Sequence, residues 1–121
     1  MGFRVMSNLK TLYQKSGVAV SSSTVNQIDP HGSGALTTIE IDITVTAISA
    51  GGSINFTYYR MDSFGNSYVV WTGGASATGA ITESIGPGMN VPKSPGSRGY
   101  LAWTLTGTTP TATFTVMIQG R

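Results

Sequence analysis

The chain's 121 residues and 12.6 kDa fit one core-sized domain and exclude two full-sized ones. Charged residues make up only 10%, against about 25% in an ordinary globular domain. Cysteine is absent, which excludes disulfide frameworks, thiolate metal sites and cysteine nucleophiles.

The net charge of +2 is unevenly placed: Arg4, Lys10 and Lys15 occupy residues 1–28 with no acid among them. Three separated cations do not form the clustered stripe that phosphate binding needs, so no nucleic-acid partner is expected. With 31 Ser and Thr and 16 Gly, the surface must be covered largely by small polar groups. Such a surface has weak electrostatic protection against association and suits a member of an assembly.

The first 35 residues admit two readings. Ser7 as a cap, Leu9, Leu12 and Tyr13 at helical spacing and Gly17 beyond them would support a two-turn helix. Alternatively, Val18 and Val20 followed by Val25 and Ile28 around residues 21–23 form a short hairpin. The extended reading is preferred here: an N-terminal arm over residues 1–16 and a β-domain over residues 17–121. The opening residues lack the apolar run of a signal peptide, and no apolar segment reaches the length of a membrane span, so no membrane partner is expected.

From residue 36 onward the period is that of strands. Ile39, Ile41, Ile43 and Val45 alternate with Glu40, Asp42, Thr44 and Thr46, giving one buried face and one wet face. A turn at residues 50–53 leads into Ile54, Phe56 and Tyr58, and the two segments read as a hairpin. Residues 62–66 form the next turn. The unbroken apolar run of residues 68–71 then reads as a strand covered on both faces. In the strand at residues 80–85, Glu83 shares a side with Ile81 and Ile85, so it belongs near an edge where its charge can reach water. Three prolines and three glycines make residues 86–96 a long loop. Leu101, Trp103 and Leu105, then a turn at residues 107–110, then Ala112, Phe114, Val116 and Ile118 read as a closing hairpin. Six or seven short strands predict an all-β fold, a single antiparallel β-sandwich of immunoglobulin-like or jelly-roll type.

The ionisable residues do not compose a catalytic centre. His31 is the only histidine, and with Asp29 it supplies two of the three protein ligands that a zinc site needs. No Gly-x-Ser-x-Gly elbow occurs. Glu40 and Asp42 lie about 7 Å apart on one strand face, within the range of an inverting glycosidase pair, but on a wet face where nothing raises either pKa. A polar outer face that pairs Arg60 across the hairpin explains them better. Residues 62–66 lack the acidic ligand series of a calcium loop, and Pro87 removes a donor from any phosphate cradle at residues 86–88. No catalytic residue, metal or cofactor is expected. Alternation sends Phe56, Tyr58, Trp103 and Phe114 inward, whereas Tyr59, Phe64 and Tyr100 face out, where they can anchor a protein interface or stack on sugars.

The succession Ile41-Asp42-Ile43-Thr44-Val45-Thr46-Ala47-Ile48-Ser49, the turn at residues 62–66, Trp71, Ile85-Gly86-Pro87-Gly88 and the stretch from Leu101 to Val116 together resemble small β-sandwich virion proteins of tailed bacteriophages. The resemblance covers roughly residues 36–121. It implies a non-enzymatic structural protein of the virion, made in the host cytoplasm: a capsid decoration or cement protein that braces the head shell. Its partners would be the major capsid protein or other virion proteins. A homo-oligomer is expected, and a trimer would fit local three-fold positions. Phe3, Arg4, Leu12 and Tyr13 in the arm are the candidate capsid contacts. Tyr59, Phe64 and Tyr100 are the candidate surface-binding residues. The alternative is a tail-associated or fibre-associated adhesion module that binds host-surface carbohydrate through exposed tyrosines and the loop at residues 86–99.

Overall fold

The computed structural model describes residues 10–29, 38–61, 64–85 and 99–120. Eight strands follow one another: β1 (Lys10–Ser21), β2 (Gln27–Ile28), β3 (Ile39–Ile48), β4 (Ser53–Met61), β5 (Ser67–Ala75), β6 (Gly79–Ile85), β7 (Gly99–Thr106) and β8 (Thr111–Gly120). They form two four-stranded antiparallel sheets in the orders β1-β8-β3-β6 and β2-β7-β4-β5. Successive strands alternate between the sheets except at β4 and β5. An immunoglobulin-like sandwich keeps several sequential hairpins within a sheet, whereas this order is that of two interlocked Greek keys. The fold is a jelly roll.

Strand alternation builds the core as the sequence predicts. Ile39, Ile41, Ile43 and Val45 from β3 face Ile54, Phe56 and Tyr58 from β4, with Leu101 and Trp103 from β7 and Ala112, Phe114, Val116 and Ile118 from β8. Phe114 is the centre: its ring meets Phe56 edge-on at 5.1 Å and Trp103 at 5.4 Å. Such T-shaped contacts set the positive ring edge against the negative face and add to the area burial.

The strand order corrects several pairings expected from the sequence. β3 and β4 do not form a hairpin, nor do β7 and β8, because each pair is split between the sheets. The chain crosses the sandwich at turns 49–52 and 107–110 instead of folding back beside itself. The pairing of Val18 and Val20 with Val25 and Ile28 fails for the same reason: β1 joins β8, and β2 joins β7. Among the described strands, β4 and β5 are the one successive pair that forms a hairpin. Residues 10–16, placed in the arm by the sequence reading, run within β1. Leu12 and Tyr13 there pack half-buried against the core. Residues 1–9 lie outside the described residues.

The two ends of the sandwich differ. At one end sit the short turns, held by hydroxyl groups: Ser49 N donates to Thr111 O at 2.9 Å, and Thr111 N donates back to Ser49 Oγ at 3.0 Å. Thr24 closes the β1–β2 turn through its Oγ1, which donates to Ser21 O at 2.8 Å and accepts from Ser21 N at 3.2 Å. Gly51 takes φ 72° in the β3–β4 turn, a left-handed conformation that glycine adopts without steric cost. At the opposite end lie Ile28 and Ile39, the last residue of β6 and the first of β7, together with the β4–β5 connection.

Candidate interaction surface

At the end that holds the β4–β5 connection, strand register brings together residues that are far apart in the chain. Tyr59 on β4 lies opposite both Val69 on β5 and Tyr100 on β7, while Arg60 lies opposite Tyr68 and Gly99. The Tyr59 and Tyr100 rings stack 4.8 Å apart at an interplanar angle of 22°. The Tyr100 hydroxyl donates to Ser67 Oγ at 3.2 Å, tying β7 to β5 over the top of β4. A row Tyr100, Tyr59, Val69 therefore crosses the outer face and ends on an edge strand.

A register shift between Tyr58 and Tyr59 makes Val70 an extra residue in β5. Such a bulge re-aims the side chains around it. Val70 turns into the core, and Tyr68 and Val69 are left 46% and 42% exposed. The sequence reading of residues 68–71 as a doubly covered strand is thus corrected: β5 is an edge strand, and a continuous apolar run arises here because the bulge breaks the alternation. Phe64, in the turn that feeds β5, is 88% exposed. The Arg60 guanidinium stands 5.8 Å from the Tyr68 ring centroid, within cation–π range.

Beneath this surface Tyr58 points inward. Burial pushes its phenol well above the usual tyrosine range, and the Asp29 carboxylate adds to the shift. Gly99 is required beside it. A Cβ there would stand 2.6 Å from Tyr59 O and 2.8 Å from the Tyr58 hydroxyl.

Of the residues singled out by sequence, the structure brings Tyr59 and Tyr100 into contact and exposes Phe64 in the turn before β5. Leu12 and Tyr13 belong to the opposite sheet, whereas Phe3, Arg4 and His31 fall outside the described residues. Ser67, Tyr68, Val69 and Arg60 were not recognised as part of this surface. The apolar run was their only sequence signal, and it pointed to burial. Glu40 and Asp42 occupy neighbouring positions on β3, but Arg60 lies in the other sheet, so no ladder sets it across from them. Glu83 sits on the edge strand β6 opposite Ile41, the rim position expected of it. Among the described residues, no group of three His, Cys, Asp or Glu side chains could hold a metal ion.

A separate cavity of about 200 Å³ lies between the β1–β2 turn and β7, lined by Ser21, Ser22, Thr24 and Asn26 on one side and Trp103, Thr104 and Leu105 on the other. Trp103 Nε1 is buried without a hydrogen-bond partner. The lining carries no charged side chain.

No protein-family model and no curated protein matches the chain. Solved structures do match. The Yersinia pseudotuberculosis-derived mitogen is 8% identical with a TM-score of 0.53, covering 94% of this chain and 86% of that one. The VP2 subviral particle of infectious bursal disease virus is 11% identical with a TM-score of 0.53, covering 93% of this chain. This chain spans 31% of VP2. The top component of cowpea mosaic virus is 15% identical with a TM-score of 0.48, covering 90% and 83% of the two chains. At these identities the likeness is one of fold. The eight-stranded sandwich is a framework on which both a bacterial mitogen and a virus-particle protein are built.

Proposed function

We propose that the chain is a non-enzymatic structural protein of a virus particle, and specifically a capsid decoration or cement protein of a tailed bacteriophage. The observation that carries this is the outer-face row of Tyr59, Tyr100 and Val69 beside exposed Tyr68 and Phe64, on a fold shared with VP2. Aromatic side chains anchor protein interfaces because they bury large area with little loss of rotamer freedom. Charges are sparse enough that few must be desolvated on docking. A small sandwich seated over junctions of a shell touches several neighbours at once. Each contact can then be weak while release requires breaking many together. The partners are the major capsid protein or other virion proteins, and Phe3 and Arg4 in residues 1–9 supply a further contact. No cofactor is involved.

The test is to titrate the purified chain onto particles assembled without it. Binding that raises the disruption temperature is expected, with the rise lost on Tyr59→Ala combined with Tyr100→Ala. Binding without stabilisation, or no binding, contradicts the cement role. The stacked tyrosines and the Ser67 hydroxyl favour one second reading, an adhesion module that grips the apolar face of a sugar. A glycan array separates the two: specific sugar binding abolished by Tyr100→Ala would replace the cement role, and a blank array would remove the alternative.

A further inference from the structure

The β1–β2 turn crosses the sandwich, because β1 and β2 belong to different sheets. β2 pairs with β7 only through Gln27 and Ile28, opposite Ala102 and Leu101, and one further bond, from Trp103 N to Asn26 O at 3.1 Å, ends the ladder. Along an antiparallel strand, the backbone groups that face one neighbour recur at every second residue. Leu105 therefore turns its N–H and C=O to the side on which β2 has already ended. The cavity of about 200 Å³ is lined by both Asn26 and Leu105 and so occupies this gap. Because the β1–β2 turn forms its facing wall, the space suits a compact group rather than an extended chain laid beside β7.

The walls differ in chemistry. Ser21, Ser22, Thr24 and Asn26 supply hydroxyls and an amide, and Trp103 and Leu105 stand opposite with the Thr104 hydroxyl between them. The four turns at this end, residues 21–26, 49–52, 75–79 and 107–110, hold no charged residue. An ionised ligand would find no ion pair here, whereas a hydroxylated one meets groups that both donate and accept. A second observation points to a ligand as well: Trp103 Nε1 is buried without a hydrogen-bond partner. Native interiors leave few such N–H groups unmet. The Trp103 side chain is itself only 3% exposed, so it offers no free ring face on which a flat base could stack.

We propose that this cavity binds one uncharged sugar ring, free or at the end of a glycan. A sugar ring carries hydroxyls around its rim and C–H groups on its faces, which matches a hydroxyl-and-amide wall set opposite Trp103 and Leu105. The size agrees. Pockets for drug-sized ligands run to about 300–1,000 Å³, whereas this one, at about 30 Å³ per liquid water, holds several waters or a single ring. On binding, Ser22, Asn26 and Thr104 exchange water for sugar hydroxyls, and an acceptor brought to Trp103 Nε1 meets a donor that the fold leaves unpaired. The site lies at the opposite end of β7 from Tyr100 and is separate from the stacked tyrosines.

The test is to titrate glucose, galactose, mannose and N-acetylglucosamine singly into the full chain and follow it by two-dimensional NMR. At least one sugar is expected to shift the Trp103 indole N–H and the Asn26 side-chain amide saturably, while glycerol does not. Asn26→Ala combined with Thr104→Val is expected to weaken that binding at least about tenfold. Ser22→Phe, which adds bulk to the wall, should abolish it. All three positions are exposed, and unchanged circular dichroism spectra show that the variants still fold. Tyr100→Ala should leave the binding intact, which separates it from sugar held by the tyrosine surface. No response to any of the four sugars, equal shifts with glycerol, or undiminished binding in both sets of variants would overturn the proposal and leave the virion role standing. Saturable sugar binding by a chain that does not bind particles would do the reverse.

Discussion

β8 and β5 are strands of nearly equal length, ten and nine residues, yet they do opposite work. β8 lies between β1 and β3, and every second residue from Ala112 to Ile118 is buried. Among the described residues β5 pairs with β4 alone, and it has one buried side chain, Val70, with Tyr68 and Val69 exposed. The difference separates two uses of hydrophobic surface within one sandwich. On β8 it is buried inside the molecule and holds the fold, whereas on β5 Tyr68 and Val69 keep much of it at the surface.

The contrast is tested most strongly at its centre. Phe114→Ala removes the ring that meets both Phe56 and Trp103, and should cost about 3–5 kcal/mol in denaturant unfolding. A loss below about 1 kcal/mol would mean the core is not organised around that ring. Gly99→Ala, where a Cβ meets the backbone oxygen of Tyr59, is expected to cost about 1–3 kcal/mol and to disturb the tyrosine stack above it. Tyrosine fluorescence or ring NMR shifts would report that change.

A smaller effect comes from pH. Burial raises the Tyr58 phenol, so the fold favours its neutral form. Its contribution is complete below the unfolded tyrosine pKa of about 10 and declines as pH climbs above it, by at most about 1.4 kcal/mol per pH unit. Unfolding titrations between pH 9 and 11 should show the decline, and Tyr58→Phe should flatten it relative to the unaltered chain. Equal slopes would contradict the burial of this hydroxyl. Least of all should Val69→Thr matter to folding: a change within about 0.5 kcal/mol is expected at this exposed site. If Val69→Thr destabilised the fold as Phe114→Ala does, the division between the two strands would collapse.

Strand positions and core faces were legible because period-two alternation is a local property. Ile39 to Val45 and Ala112 to Ile118 announce a buried face without reference to any partner, and both are buried. Strand order was not legible for the same reason. Alternation says which side of a strand is dry but not which strand lies beside it, so β3 and β4 read as a hairpin although they face each other across the core. The candidate surface was half legible. Tyr59 and Tyr100 fall on outward positions of regular strands, but their contact depends on β7 lying beside β4. β5 was misread because an unbroken apolar run has two physical origins, cover on both faces or a bulge that interrupts the alternation, and the residues are the same in either case.

The proposed role is to contribute contact surface to a particle's shell. Quantitative mass spectrometry of purified virions measures this most directly. A copy number in step with the repeating subunits of the shell is expected. A handful of copies per particle, or none, would contradict it.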